Sequence, residues 1–247
     1  MQSLYSNGFE KIYDAMYQTF INYTDEYLFY NTLLKKYNKN SVLEIGSGTG
    51  NLAKHFIDNN FNYQGLDYSQ DMVDLSSSKL PKGHFKQGDM RDFKLNNTVA
   101  SIIITGRSTS YLLSNLDVTN ALQSIYLNLD DNGILCFDFI DANRFFKMIK
   151  DGKHIHHAAS FNNNQYTRDS YLNTNTSNNF MFDWDSKYFL IKQNKKTLIA
   201  EDKSEVRAFI KNEWKLLLHL NNFKVLECID KPAYMFDCYA VVAQKIA

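Results

Sequence analysis

Between residues 9 and 37 apolar side chains return at helical spacing: Phe9, Ile12, Tyr13, Met16, Tyr17 and Phe20, then Tyr27, Leu28, Tyr30, Leu33 and Leu34. That period predicts two helices, broken by the polar stretch "NYTD" at 22–25. From residue 41 the pattern changes to short apolar runs alternating with amphipathic ones. "SVLEIG" (41–46) reads as a buried strand, with a helix from about Asn51. "NYQGLDY" (62–68) is a second strand, and Ser69 or Gln70 opens the helix "DMVDLSSSKL". "HFKQGD" (84–89), "VASIIITG" (99–106) and "GILCFDFID" (133–141) are three further strands. The last two flank a helix, "NLDVTNALQSIYLNL", for which Asp130-Asp131-Asn132-Gly133 is a suitable stop. Strands alternating with helices at this spacing predict an α/β fold with parallel βαβ units, right-handed crossovers and a ligand at the carboxyl ends of the strands.

Past Arg144 the pattern shifts again. Phe180, Phe182 and Trp184 alternate with Met181 and Asp183, the signature of a strand with one apolar face, and Asn-rich tracts punctuate the region. Three or four antiparallel strands are expected within 153–205, inserted after the fifth parallel strand. The helix "IKNEWKLLLHLNN" and the strands "FKVLECID" and "DCYAVVAQKI" close the chain. The expected organisation is a helical cap over 1–40, a core over 41–150 and 206–247, and an antiparallel insertion over 151–205 serving as a substrate lid.

Composition narrows the function classes. The chain has 247 residues, with Lys plus Arg and Asp plus Glu balanced at 27 each, so no excess of positive charge advertises nucleic acid. No apolar run approaches twenty residues, and "MQSLYSNGFEKIYDAMYQTF" has no continuous apolar stretch of signal-peptide type, so the expectation is a cytoplasmic protein without membrane attachment. Cys136, Cys228 and Cys238 lie scattered in apolar runs and are expected to be buried thiols, not a metal site or disulfides.

The chemistry concentrates in "VLEIGSGTGN", where Gly46, Gly48 and Gly50 alternate between a strand and a helix. A dinucleotide loop, G-x-G-x-x-G, would place its third glycine at residue 51, which is Asn here. Glu44, two places before Gly46, is a poor neighbour for pyrophosphate and suits a ligand carrying positive charge. Asp67 follows Gly46 by 21 residues at the end of the second strand, where a carboxylate accepts hydrogen bonds from a ribose diol. Asp89 ends the third strand, where it or its neighbouring amide can meet an adenine amino group while Met90 packs on the ring. A tight strand-to-helix turn without a ligand and a nicotinamide-dependent oxidoreductase both remain open from these residues alone.

Taken together, "EIGSGTG", "GLDYSQDMV", "QGDMRDF" and "LDDNGILCFDFID" resemble the motifs of the class I S-adenosylmethionine-dependent methyltransferases, and "EVRAFIKNEWKLLLHLNNFKVLE" resembles the segment before their terminal hairpin. The resemblance covers roughly 9–150 and 205–247. It implies a Rossmann-like, seven-stranded, mostly parallel sheet with helices on both faces and the last strand antiparallel. It also implies S-adenosylmethionine as cofactor and S-adenosylhomocysteine as product. Carried onto this chain, the cofactor residues are Glu44, Gly46, Ser47, Gly48 and Gly50, then Asp67, Tyr68 and Met72, then Asp89, Met90, Thr105 and Gly106. The N-terminal segment resembles that of the sugar-amine and glycine N-methyltransferase-like enzymes, whose tyrosines close over the methionine end. Tyr13, Tyr17 and Tyr23 match by position, with helix packing as the alternative.

The acceptor is expected at the ends of the fourth and fifth strands. "TGRSTSYLL" lacks the Asn/Asp-Pro-Pro-aromatic element of enzymes acting on nucleic-acid bases and resembles the run found in the small-molecule enzymes. Arg107 and Tyr111 are the candidate substrate-positioning residues, Arg107 either binding a substrate carboxylate or forming a structural ion pair. Arg144, Arg168, Tyr171 and Trp184 are candidates to line the mouth. "HIHH", with His154, His156 and His157, is open between a polar loop, a general base and a metal ligand. The expected reaction is methyl transfer to a nitrogen, ahead of oxygen, of a small-molecule acceptor. A non-catalytic module that binds the same cofactor is the remaining alternative, and a homodimer is compatible with a free sheet edge in the insertion.

Overall fold

Asn22 is the point where the first helical pattern divides: its side-chain oxygen accepts from the amides of Thr24 (3.1 Å) and Asp25 (3.3 Å), capping a new helix. The computed structural model describes residues 9–175, 180–193, 195–232 and 238–246. Helices α1 (Phe9–Tyr17) and α2 (Tyr23–Lys36) precede β1 (Ser41–Ile45), α3 (Asn51–Asp58), β2 (Asn62–Asp67), α4 (Gln70–Lys79), β3 (His84–Gln87) and β4 (Val99–Ile104). A 3₁₀ turn, Ser108–Tyr111, leads to α5 (Asn115–Asn128), which opens on a capping box between Ser114 and Asp117. Then follow β5 (Leu129–Ile140) and the short α6 (Ala142–Met148). Strands β6 (Lys153–Phe161), β7 (Asn164–Thr174), β8 (Met181–Lys192) and β9 (Lys195–Arg207) come next, and α7 (Lys211–Leu220), β10 (Phe223–Lys231) and β11 (Cys238–Lys245) end the described chain.

The fold is the expected α/β one. Seven strands lie in the order β10-β11-β5-β4-β1-β2-β3, and four others form a separate antiparallel sheet, β6-β7-β8-β9. β1 pairs in parallel with β2 and β4, β2 with β3, and β4 with β5, while β11 runs antiparallel to both β5 and β10. Leu43, Ile102, Leu135 and Phe137 bury one face of the sheet against α5 and α7. Val42, Ile103, Cys136 and Val242 bury the other against α2 and α3. Ile140, Phe145, Leu172, Phe182 and Val206 form a third cluster that fixes the antiparallel sheet to the end of β5. Met16, Ala159 and Tyr188 form a fourth, which fixes α1 to the same sheet.

Three local expectations are corrected. Asp130–Gly133 is not a stop between helix and strand. The chain is already extended at Leu129, and residues 130–133 are an irregular start to β5, with Asn132 left-handed at φ 59°. Cys228 is exposed, because β10 is the sheet's edge strand and its alternate residues face outward. The three histidines lie in the first half of β6, in a strand and not in a polar loop. Among the described residues no helix is long and apolar enough to cross a membrane.

Trp214 of α7 sits 2% exposed between Phe137 (ring centroids 4.5 Å apart) and Phe209 (4.6 Å). Trp214→Ala is expected to lower unfolding free energy by about 3–5 kcal/mol, read as a shifted urea midpoint.

Candidate active site

After Ile45 the chain must leave the sheet and enter α3 within a few residues. It does so with Gly46, Gly48 and Gly50 at φ of +76°, +52° and +80°. A side chain at Gly46 would also meet the Ser108 hydroxyl at 2.6 Å. The loop's amides are largely used internally: Gly46 and Ser47 donate to the carbonyl of Leu66, and Gly50 donates to that of Ser47. The Gly48 amide donates to Asp67 Oδ2 at 2.7 Å, and Ser69 donates to Oδ1 at 2.9 Å. Burial pushes the Asp67 carboxyl up, and these amides oppose the shift.

The loop faces a cavity of about 600 Å³, a size typical of small-molecule sites. Ser47, Tyr68, Met72, Asp89, Met90, Thr105 and Gly106 line it, as do Glu44, Gly46, Gly48 and Asp67. Gly50 does not: it is the N-cap of α3, and a side chain there would press on Ser76 and Leu80 at 3.1 Å, so its role is packing. Tyr13 and Tyr17, stacked at 3.8 Å, and Tyr23 close one side. Asp14 between them accepts from Thr49 Oγ1 (2.5 Å), Asn51 Nδ2 (2.8 Å) and Lys79 Nζ (3.0 Å), which pins α1 to the glycine loop.

Two carboxylates of the cavity wall are already engaged by protein groups. Glu44 does not present a bare charge to the cavity: it is 2% exposed and accepts from Tyr63 (2.6 Å) and Thr105 (3.0 Å) hydroxyls. Burial, against those bonds, pushes it up to about 8. Asp89 is gripped by the Arg91 guanidinium at 2.6 Å, which holds it below its ordinary value, and the same guanidinium reaches Asp117 at 2.9 Å.

The far end of the cavity is built from the turn after β4 and the end of β5. Arg107 is left-handed at φ 63° and its amide donates to Asp138 Oδ1 at 2.7 Å. Its side chain is buried and lines the cavity, as does the half-exposed Tyr111. Lys231, 5% exposed, joins Asp138 (2.9 Å) and Glu26 (2.7 Å) at the same wall. Burial alone would pull the Lys231 ammonium down, but the two carboxylates hold it above its ordinary value. Sequence reasoning missed this triad. A charged residue inside the apolar run "CFDFI" was a readable signal for Asp138, whereas nothing local marks Lys231 or Glu26.

From the antiparallel sheet, Arg168, Trp184, Asp202, Ser204 and Val206 line the cavity. Arg144 does not; it bonds Asp141 and Asp230 and lies 4.0 Å over the Tyr239 ring. Tyr171 sits an odd number of residues from Arg168, hence on the opposite face, stacked on His154. His154 and His156 share Asp169 at 3.2 and 2.7 Å, and His157, pushed down to about 4 by burial, packs on Phe20. None of the three histidines lines the cavity. Among the described residues no group of three or more His, Cys, Asp or Glu is placed to hold a metal ion.

The strand order, glycine loop and cavity at the strand ends define the class I methyltransferase architecture. Residues 42–133 match the family profile described as a methyltransferase domain. Over 95 residues the chain is 30% identical to a Streptomyces venezuelae dTDP-3-amino-3,4,6-trideoxy-α-D-glucopyranose N,N-dimethyltransferase, covering 38% of this chain and 40% of that protein. Over 137 residues it is 25% identical to a Streptomyces fradiae dTDP-3-amino-3,6-dideoxy-α-D-glucopyranose N,N-dimethyltransferase, covering 54% of each. The chain thus spans about half the length of the curated relatives it matches. In fold it is similar to the crystal structure of Streptomyces venezuelae DesVI, with a TM-score of 0.79 at 18% identity, over 96% of this chain and 99% of that one. It is similar also to an amino pentose methyltransferase from Micromonospora echinaspora, with a TM-score of 0.75 at 15% identity, over 100% of both chains. The resemblance to class I S-adenosylmethionine-dependent methyltransferases, near the sugar-amine group, is borne out.

Glu44 carries a pH signature. Its folded value, about 8, lies above the ordinary 4.5, so between the two the folded chain holds a proton that the unfolded chain has lost. Its contribution to stability is therefore complete below the lower value and is lost as pH rises towards the upper. Glu44→Gln is expected to flatten this fall, read as a smaller drop in urea midpoint between about pH 5 and about pH 8 than in the parent protein.

Proposed function

We propose that this chain is an S-adenosylmethionine-dependent methyltransferase acting on an amino nitrogen of a small, sugar-like molecule. The observation that carries the cofactor assignment is the fate of the glycine-loop amides. A pyrophosphate site needs N–H groups aimed at the ligand. Here Gly46, Ser47 and Gly50 give theirs to carbonyls, and Gly48 gives its amide to the Asp67 carboxylate. Beside the glycine loop the cavity is met by the Asp67 carboxylate in place of free amides, which suits an adenosyl ligand with a ribose diol better than a pyrophosphate. The matched relatives are methyltransferases, which likewise does not favour hydride chemistry.

In this reading Gly46, Ser47 and Gly48 admit the methionine and ribose parts. Asp67 keeps lone-pair capacity for the ribose hydroxyls, since a carboxylate has about four acceptor sites and the amides of Gly48, Tyr68 and Ser69 do not use them all. Met72, Met90 and Tyr68 flank the adenine, with Asp89 at its edge. Thr105 and Gly106 lie beside the methionine end, and Tyr13, Tyr17 and Tyr23 cover it. Bound there, the cofactor supplies a methyl group on a sulfonium leaving group. The protein then has to position the acceptor and keep water out. Arg107 and Tyr111 stand where the acceptor would enter, and the β6–β9 sheet is the substrate lid. The dTDP-amino sugars named for the relatives motivate the acceptor class.

Three measurements test it. S-adenosylmethionine and S-adenosylhomocysteine are expected to raise the melting temperature while NAD(H) and NADP(H) leave it unchanged. Asp67→Ala is expected to weaken S-adenosylmethionine by roughly tenfold to a few hundredfold, from the loss of charge-assisted bonds of about 1.5–3 kcal/mol, measured by titration calorimetry. Stabilisation by the nicotinamides alone would overturn the cofactor assignment. With dTDP-3-amino-3,6-dideoxy-α-D-glucopyranose as acceptor, mass spectrometry is expected to show one or two added methyl groups on nitrogen.

A further inference from the structure

We propose that Asp202, on the cavity face of β9, receives the ammonium form of the acceptor and takes the proton that must leave before the nitrogen can attack; this rests on the methyl-transfer reading above. The register of the antiparallel sheet sets the geometry. Ser170 pairs with Ser186, and Ser186 with Asp202, so the three form one row across the sheet. The next row on the same face holds Leu172, Trp184 and Ser204, and the one beyond it Phe182 and Val206. Leu172, Phe182 and Val206 are buried, so the polar row lies beside apolar packing. Ser186 is occupied: it shares a hydrogen bond with Ser170 (2.8 Å) and accepts from Arg168 Nε (3.2 Å) and Nη2 (3.1 Å). A polar row on a largely apolar wall costs stability unless something polar meets it.

Asp202 is singled out by comparison with the other cavity carboxylates. Glu26 and Asp138 are neutralised by Lys231, and Asp89 by Arg91. Asp67 accepts backbone amides, and Glu44 accepts two hydroxyls. Among the described residues Asp202 accepts only from the Ser204 hydroxyl, at 3.2 Å, and forms no ion pair within 4 Å. The charged and titratable groups around it are Arg168 on β7 and Asp185 and Tyr188 on β8, with Tyr17 of α1 bonded to Arg168. Burial makes its carboxylate more basic than an ordinary aspartate, with Asp185 adding to the shift and Arg168 opposing it. Such a group attracts a cation entering the cavity and accepts a proton more readily than an ordinary aspartate.

The step balances. The acceptor ammonium gives one proton to the Asp202 carboxylate, and the freed nitrogen pair forms the bond to the methyl carbon. The carbon–sulfur bond breaks with its electron pair going to sulfur, which leaves a methylated ammonium and a neutral thioether.

The test uses the full chain with dTDP-3-amino-3,6-dideoxy-α-D-glucopyranose as probe. Asp202→Asn is expected to keep S-adenosylmethionine affinity within about twofold, which also shows that the fold is intact. It should weaken calorimetric binding of the probe to the S-adenosylhomocysteine complex about tenfold or more, and lower turnover near neutral pH roughly 100-fold. The defect should narrow as pH passes the pKa of the probe's own amine, because the acceptor then arrives without the proton. Asp202→Glu should recover part of the loss. Unchanged probe affinity and an unchanged pH–rate profile in Asp202→Asn would overturn the assignment. A parent protein that binds S-adenosylmethionine but neither binds nor methylates the probe would overturn the acceptor class, and the role of Asp202 with it.

Discussion

A sheet that winds in both directions from one strand cannot cover the ends of its central strands. β1 pairs with β2 on one side and with β4 on the other, so the connections leaving β1 and β4 diverge over opposite parts of the sheet. The crevice between them is a consequence of topology, and ligands bind there in open α/β sheets. Both walls of this crevice turn through left-handed backbone. Gly46 and Gly48 do so without strain, being glycines, and Arg107 does so held by the bond from its amide to Asp138. The close approach of Gly46 to Ser108 shows how tightly the two turns meet.

The charges in this crevice are arranged in pairs that hold elements together. Lys231 joins β10 to β5 through Asp138 and to α2 through Glu26. A buried ion pair contributes little net stability compared with apolar packing, but removing one partner strands the other at high cost. Its value here is positional: the Asp138 carboxylate is bonded at once to Lys231 and to the Arg107 amide, so the floor of the proposed acceptor site is fixed from two directions. Arg91, bridging Asp89 and Asp117, does the same for the opposite end, where the loop after β3 meets α5.

Most of the fold was legible because its signals are local. Strands β1, β2 and β4, the glycine loop and the caps at Asn22 and Ser69 each announce themselves within a few residues. What the sequence hid are relations between distant strands. Whether Arg168 or Tyr171 faces the cavity depends on which face of β7 packs inward, and alternation alone does not say which. Lys231 and Glu26 meet across the whole length of the chain. Gly50 reads like its two neighbours in the motif, yet it serves the packing of α3 against α4, a distinction visible only once Ser76 and Leu80 are in place. The histidines look like ligands in "HIHH", but a strand sends His154 and His156 to one face and His157 to the other, where they find different partners.

The two ends of the cavity are also mechanically continuous, through α1. Asp14 ties this short helix to Thr49, Asn51 and Lys79, on the side of the glycine loop. Two residues on, Met16 packs with Ala159 and Tyr188, on the side of the antiparallel sheet, and Tyr17 bonds Arg168. A nine-residue helix is too short to be stable alone, so its position is set by these contacts. Any displacement of α1 wide enough to admit a ligand beneath Tyr13 and Tyr17 must break the Asp14 junction, the Met16 contacts, or both. The glycine loop and the antiparallel sheet are therefore held relative to each other by the same small set of interactions through α1.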